Sequence, residues 1–440
     1  MALKDYVKEG QDPQGLREYA KRSQLLLVLK EALTEKLGFQ TLLSIIADND
    51  ADQARSELLL ALRSILHQDS YDEFSELDKH DLAQELIDEL VGLGPLETLL
   101  KDPEVSEIMV NGCASLFYEQ KGRLYHAQHV FRDEAQIRLI IDRILAPLGR
   151  RIDEQSPLVN ARLSSGYRVN AVIPPISLEG PLLTIRKFSD RISELSELIR
   201  MGSISPSFAQ LLSWAVKARK NIAVVGGTGS GKTTLLNALS CEIPHEERII
   251  TIEDSAELKF KTHPHVIRLE RRDPSIEGLG EVSIKDLVIN SLRMRPDRIV
   301  VGECRGAETI DMLQAMNTGH DGSLTSLHAG SAQEAIVRLI LLARYGIDLP
   351  SSVIEDQIAT ALDFIVMQSR MSDGSRKVTG LSAVSRKAGG GVELEELLRF
   401  DEEQQDWHIL SCPSFIYDLE TKGIANAREV KEWQQSCCFS

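Results

Sequence analysis

The segment GGTGSGKT, residues 226–233, has the residue types and spacing that suit the binding of a polyphosphate. It fits G-x-x-x-x-G-K-[ST], a pattern in which glycines let successive backbone N–H groups point inward without a Cβ clash. Lys232 can reach the β- and γ-phosphates, Thr233 can ligate Mg²⁺, and the following helix directs its positive end at the phosphates. The flanking NIAVV and TLLNALS predict the strand and the helix that the pattern requires. The residues expected to contact the nucleotide are Gly226, Gly227, Thr228, Gly229, Ser230, Gly231, Lys232, Thr233 and Thr234.

Acidic residues follow two of the strands predicted downstream. RIITIED ends in Glu253 and Asp254, and RIVVGECRG carries Glu303 where a Walker-B acid would hold Mg²⁺ through water. Because the carboxyl ends of parallel strands meet at one edge of a sheet, we expect these carboxylates beside the phosphate-binding loop. Taken alone, each of these acidic residues is better explained as a solvated carboxylate at the end of a strand. Together with GGTGSGKT, they favour a catalytic site that uses ATP and Mg²⁺, with Lys232, Glu253 and Glu303 as catalytic residues.

Two histidines, His320 and His328, lie in the segment TGHDGSLTSLHAG. Zinc sites commonly place ligands roughly three to five residues apart with cysteine or carboxylate nearby, and Cys304 has no second cysteine beside it. A histidine at the end of the strand SLTSLHA can instead donate a hydrogen bond to a γ-phosphate as charge develops during transfer. We expect His328 to act at the catalytic site in this way and His320 to contact the nucleotide. A structural role is the alternative for each.

The composition limits the class of protein. The chain has 440 residues, 42% of them hydrophobic, and a net charge of −16, which suits two or three globular domains. A strongly acidic protein is a poor candidate for non-specific binding to nucleic acid or anionic lipid. Six scattered cysteines and a start without a signal peptide favour reduced thiols in the cytosol. Since no apolar stretch reaches the roughly 18 residues of a membrane span, we expect any membrane role to be peripheral.

The distribution of helix and strand patterns divides the chain into four parts. Residues 1–75 predict helices, because Leu and Ile recur at three- and four-residue spacing. Residues 76–192 predict a helix and then a small α+β domain of short strands with one amphipathic helix. Residues 193–205, with Ser and Gly and with Pro206 directly after them, predict a linker. From 206 to 440 the patterns alternate, which predicts a doubly wound, mostly parallel sheet, an antiparallel hairpin about DGS and a helical extension.

Taken together, these motifs resemble the secretion ATPases of type II and type IV systems. The resemblance runs from GLGPLETLLKDPEVSEIMVNG, residues 92–112, through at least residue 370. Four segments match the family's motifs in order and spacing. GGTGSGKT matches the Walker A motif, TIEDSAEL the aspartate box, RIVVGECRG the Walker B motif and GHDGSLTSLHAG the histidine box. The resemblance implies an α/β fold with a RecA-like P-loop ATPase domain and a smaller PAS-like domain. It also implies a homo-hexameric ring that converts ATP hydrolysis into work on an inner-membrane platform protein.

The resemblance further implies roles for individual residues. Glu253 would polarise the attacking water while Glu303 supports Mg²⁺, although the sequence leaves open which of them is the base. Arginines of the smaller domain would reach the nucleotide at the inter-domain cleft, where the rigid guanidinium fork matches phosphate oxygens. Surface solubility is the alternative for about half of these arginines. Arg162, Arg168 and Arg186 match the family positions best, and the other arginines of this stretch are Arg150, Arg151 and Arg191.

Within the family, the sequence looks most like the Tad (tight adherence, or Flp pilus) assembly ATPases. The similarity lies in RRIDEQSP, RVNAVIPP, LLTIRKF, IEGLGEVSIKDLVINSLRMRPDR and MLQAMNTGHDGSLTSLHAG. We therefore expect a cytoplasmic motor for pilus assembly or secretion that associates with the inner membrane through its partners. A conjugative type IV secretion ATPase is the main alternative, and the acidic charge disfavours a nucleic-acid motor. A GTPase would require N-K-x-D, but the sequence contains no Asn-Lys pair.

Overall fold

The computed structural model describes residues 13–48, 50–68, 71, 74–128, 130–187, 194–260, 263–274 and 279–436. The chain divides into two compact units, Met1–Ser189 and Asp190–Ser440. Arg191, one of the candidate arginines, lies outside the described residues. None of the helices in these ranges is both long enough and apolar enough to cross a membrane.

Helices fill the N-terminal part of the first unit, as the leucine spacing predicts. They are α1 (Pro13–Leu37), α2 (Phe39–Asp48), α3 (Ala51–Leu66) and α4 (Glu76–Leu90). Leu29 and Leu33 of α1 are fully buried against Leu58 and Leu62 of α3. Leu86 of α4 belongs to the same core, so the helical core continues past residue 75. The domain boundaries at 75 and 192 remain predictions.

The rest of the first unit is an α+β arrangement. Its elements are α5 (Glu97–Lys101), β1 (Val105–Asn111), β2 (Ser115–Gln120), β3 (Arg123–Gln128), α6 (Glu134–Leu145), β4 (Leu158–Arg162), β5 (Arg168–Val172) and β6 (Leu182–Arg186). Over the described residues the sheet order is β3-β2-β1-β6-β5-β4, with every pair antiparallel. Alternate residues of β1, Ile108 and Val110, share a buried core with Ile137 and Ile141 of α6. The sequence analysis did not predict β4, whose residues are all exposed or half-buried.

The second unit alternates helices and strands before an antiparallel extension. Its helices are α7 (Leu195–Arg200), α8 (Pro206–Lys217), α9 (Lys232–Ser240), α10 (Ile284–Ser291), α11 (Glu308–Asn317), α12 (Ala332–Gly346), α13 (Ser351–Ala361) and α14 (Ala427–Ser436). Its strands are β7 (Ile222–Val225), β8 (Ile249–Glu253), β9 (Val266–Glu270), β10 (Arg298–Val301), β11 (Leu324–Leu327), β12 (Phe364–Arg370), β13 (Arg376–Arg386), β14 (Val392–Asp401) and β15 (Asp406–Ile409). The helix α7 lies inside the predicted linker.

The strands of the second unit form one sheet in the order β15-β14-β13-β12-β7-β11-β10-β8-β9. The pairs from β12 to β9 are parallel, and the pairs from β12 to β15 are antiparallel, which confirms the predicted hairpin. Both faces of the parallel part are covered. Ile222 and Val224 of β7 pack in a core with α8 and α9, whereas Ala223 and Val225 pack with α11, α12 and α13. This explains why the strand is apolar at every position.

One buried ion pair holds the amino-terminal edge of this sheet. Arg298, the first residue of β10, is fully buried and forms an ion pair with Glu247 through Nε. Its Nη2 donates to the other Glu247 oxygen at 3.3 Å, and its Nη1 donates to the carbonyl of Gly322 at 3.0 Å. The same Glu247 also pairs with Arg219 at 3.2 Å, but the Arg219 side chain is 45% exposed.

We expect Arg298→Ala to lower the free energy of unfolding by about 3 kcal/mol, because it leaves a mostly buried carboxylate without its main partner. Arg219→Ala is the matched control and should cost less than about 1 kcal/mol, since solvent screens that pair. Urea unfolding of the two variants measures the difference. Equal losses would show that the buried contacts of Arg298 do not stabilise the sheet edge.

Candidate nucleotide-binding site

The loop 226–233 joins β7, in the middle of the sheet order, to the start of α9. Gly229 and Gly231 have φ values of 70° and 99°, a region that residues with a side chain rarely adopt. At Gly226 a Cβ would collide with the carbonyl oxygen of Gln368 on the neighbouring strand β12. The glycines therefore permit both the loop torsions and a close approach to β12.

The hairpin of β12 and β13 supports this loop through contacts that were not predicted from the sequence. Arg376 of β13 donates from Nε to the carbonyl oxygen of Gly229 at 3.0 Å. Gln368 is 2% exposed and packs beside Gly226 and Gly231. No local motif marks Gln368 or Arg376, because their contacts arise from the pairing of β12 with β7.

Lys232 directs its ammonium group back toward the loop. Its Nζ donates to the carbonyl oxygen of Gly227 at 3.0 Å and lies 3.3 Å from each ring nitrogen of His328. Burial lowers the pKa of Lys232, and the charge of Glu303 opposes that shift. A cation held in a desolvated position gains strongly from an anion placed beside it, which suits this lysine to a phosphate.

Glu253 is a buried carboxylate with one oxygen left available. Its Oε2 accepts the backbone N–H groups of Glu257 and Leu258 at 2.7 and 2.9 Å. Its Oε1 is buried and has no hydrogen-bond donor among the described residues. Burial raises the pKa of this carboxyl, whereas the two amides and the charge of Arg268 lower it. A fixed carboxylate with one unbonded oxygen is suited to orient a water molecule and accept its proton.

Glu303 lies two residues beyond β10, between an arginine and a histidine. Its Oε2 accepts a hydrogen bond from Nη2 of Arg305 at 2.7 Å, and its Oε1 lies 3.2 Å from Nε2 of His328. The latter contact lacks hydrogen-bond geometry, so Oε1 also has no donor within the described ranges. A Cβ at Gly302 would lie 3.1 Å from Cγ of Glu253, which shows how closely β10 and β8 bring their ends together.

His328 contacts both Lys232 and Glu303 at the end of β11. Burial lowers the pKa of His328; Glu303 opposes this shift, whereas Lys232 and Arg305 reinforce it. The imidazole is therefore mostly neutral near pH 7, where it can donate one hydrogen bond and accept another. The structure thus brings His328 into the predicted site.

The arrangement fits a nucleotide with Mg²⁺. Two buried carboxylate oxygens, Glu253 Oε1 and Glu303 Oε1, have no donor in the described part of the chain, and Mg²⁺ with its waters prefers oxygen ligands of this kind. Thr233 lies in the first turn of α9, at the helix end where backbone N–H groups favour phosphate. The remaining predicted contacts, from Gly226 to Thr234, lie on this loop and first turn.

His320, by contrast, lies at the other edge of the sheet. It precedes β11, and β11 runs parallel to β7 with Leu324 opposite Ile222. The loop after His320 is held by Asn221, whose side-chain oxygen accepts two backbone N–H groups of that loop. The structure therefore does not bring His320 to the loop 226–233, because the whole of β11 separates it from His328.

The candidate arginines of the first unit form a row. Arg162 on β4 lies opposite Arg168 on β5, and Arg168 lies opposite Arg186 on β6. Directly opposed residues share a face of the sheet, and like charges in this position repel one another. A bound anion would relieve that repulsion. The catalytic role of the three arginines remains a prediction.

Comparison with known proteins decides the family. Residues 89–412 match the model described as type II/IV secretion system protein. The chain belongs to this family. A Mycobacterium tuberculosis protein named for conjugal transfer is 37% identical over 324 residues, which cover 72% of this chain and 91% of that protein. The PtlH homolog of Bordetella bronchiseptica, a type IV secretion system protein, is 34% identical over 310 residues, covering 65% and 91% of the two chains.

Among solved structures, the VirB11 ATPase of the Brucella suis type IV secretion system is 30% identical. The similarity covers 66% of this chain and 92% of that one, with a TM-score of 0.36. The family match confirms the resemblance to type II and type IV secretion ATPases. Together with the parallel strand order, it confirms the RecA-like P-loop fold of the second unit.

We expect Gly226→Ala to weaken nucleotide binding by about tenfold or more, because the added methyl group would overpack the contact with β12 and displace the loop. Gly227→Ala is the matched control, since a Cβ there meets nothing within 4 Å. Titration with a fluorescent ADP analogue measures both affinities. Similar affinities would mean that the loop does not depend on its close approach to β12.

Proposed function

We propose that the chain is an ATPase that works as a homo-hexameric ring at the cytoplasmic face of the inner membrane, on a platform protein of a pilus or secretion system. The observation that carries the proposal is the convergence of Lys232, Glu253, Glu303 and His328 on the phosphate-binding loop. These side chains come from four different strand ends and include two buried carboxylate oxygens without a hydrogen-bond donor among the described residues. Family membership supports the same function.

In the proposed reaction, water attacks the γ-phosphorus and the bond to the β–γ bridging oxygen breaks. Lys232 and the loop amides bind the phosphates, and Glu253 Oε1 orients the water and takes its proton. Thr233 and Glu303 would hold Mg²⁺, which when bound neutralises phosphate charge. His328 donates to a γ-phosphate oxygen and connects Lys232 with Glu303. The row of Arg162, Arg168 and Arg186 would, as the family resemblance implies, add positive charge to the phosphates.

Two kinds of machine remain as candidates, and we propose the Tad-type pilus assembly system. The chain carries the Tad-like stretches and the N-terminal helices α1 to α3, which precede the part matched to the family model. A conjugative type IV secretion system is the second candidate, because the names of the relatives refer to conjugal transfer and type IV secretion. No nucleic acid is expected as a substrate.

We expect Glu253→Gln to keep nucleotide affinity but to lower turnover by about a hundredfold, because the proton acceptor is lost. Phosphate release and binding of a fluorescent ATP analogue separate the two effects. In the wild type, activity should fall as the pH decreases through the raised pKa of Glu253, since the protonated acid cannot act as a base. Loss of binding in the variant would indicate a structural role instead.

The choice of machine is tested in the host bacterium. We expect deletion of the gene to abolish surface pili, and a copy with Lys232→Ala to fail to restore them, because hydrolysis powers assembly. Electron microscopy of the cell surface and plasmid-transfer frequency are the two measurements. Intact pili with a loss of plasmid transfer would favour the conjugative system. Separately, a purified protein that is monomeric and hydrolyses no ATP would contradict a ring that assembles and works without partners.

A further inference from the structure

A row of charged and polar side chains crosses the carboxyl edge of the second unit's sheet in the order of the strands. The sheet order is β7, β11, β10, β8 and β9, and each strand end supplies one member of the row. In that order they are Lys232, His328, Glu303, Asp254 and Arg271. The part beyond Glu303 is not used by the proposed reaction.

Arg305 connects the two carboxylates in this unused part. Its Nη2 donates to Glu303 Oε2 at 2.7 Å, and its Nη1 lies 3.7 Å from Asp254 Oδ2. The other oxygen of Asp254 is paired with Nε of Arg271, which also pairs with Asp273 at 3.0 Å. Asp254 is therefore held from the β9 side, with Oδ2 facing Arg305.

Arg305 occupies Glu303 Oε2, beside the oxygen Oε1 that is left for a metal. Its positive charge opposes a divalent cation at the same carboxylate, because like charges repel at short distance. The Arg305 side chain is 56% exposed, so it can rotate without opening the core. The nearest carboxylate oxygen in the described contacts to receive it is Asp254 Oδ2.

We propose that Arg305 is a two-position residue, which holds Glu303 in place before the metal binds and transfers to Asp254 when Mg²⁺ takes Glu303. This inference rests on the proposed function, because it assumes a Mg²⁺-nucleotide complex at the loop. Arg305 acts here as a positioning residue. Asp254 is the second carboxylate that can bind Arg305, and its ion pair with Arg271 at the end of β9 holds it in place.

The test measures how strongly Mg²⁺ improves nucleotide binding. The dissociation constant of mant-ADP is determined for the full chain in EDTA and in Mg²⁺. The constant in EDTA divided by the constant in Mg²⁺ is the ratio that is compared among variants. Arg305→Gln should increase the ratio by about fivefold, the effect of removing one partly screened charge-assisted hydrogen bond that opposes the metal. Asp254→Asn should decrease the ratio, because Arg305 loses its second anchor. The double variant should behave like Arg305→Gln.

Arg338→Gln is the matched control. Arg338 is an exposed cation whose charge acts on His328, and no described contact joins it to Glu303. An unchanged or smaller ratio in Arg305→Gln, or an equal increase in Arg338→Gln, would overturn the two-position role. A wild type that binds no mant-ADP would overturn the proposed function and this inference together, whereas binding with equal ratios in all variants would overturn only the inference.

Discussion

The site depends on the parallel pairing of short strands that are buried on both faces. β7, β10 and β11 are only four residues long, and each of their residues is buried. Strands of this kind leave the sheet edges as the places where a charged side chain can reach water or a ligand. The register then sets which polar groups meet, since Val225 pairs with Leu327 and Val301 pairs with Ile252. The residues just beyond these pairs are the ones that form the site.

The charges at this edge are arranged so that an incoming ligand improves their interactions. Lys232 is desolvated, and its hydrogen-bond partners in the described part of the chain are a carbonyl oxygen and a mostly neutral ring. Glu253 and Glu303 each hold one buried oxygen without a donor among the described residues, a state that costs about 1–3 kcal/mol per group. These unpaired groups do not increase the stability of the fold. A phosphate beside Lys232, with a metal and a water molecule beside the carboxylates, would supply the missing partners.

The parts of the site that the sequence could predict are those with a local signal. The loop 226–233, Glu253, Glu303 and His328 each follow a recognisable apolar strand, and strand ends in a parallel sheet meet. The place of His320 depends on the direction of β11, which runs from the TGHDG loop to His328 and so puts the two histidines at opposite edges of the sheet. Gln368 and Arg376 were missed because their contacts with the loop come from distant segments, joined only by strand order and pairing. Arg305 lies in the same stretch as Glu303, but its second contact, Asp254, belongs to another strand end. The strand β4 was not predicted because buried and exposed residues do not alternate along it.

The described residues outside the family match contribute to packing. At the C-terminus, Trp433 of α14 packs edge-on against Trp214 of α8 and donates from Nε1 to the carbonyl oxygen of Ser207 at 2.7 Å. At the N-terminus, α1 and α3 pack through leucines. Neither segment carries a predicted site residue. The exposed Phe39 and Leu43 of α2, one helical turn apart, give these helices an apolar surface beyond their own core.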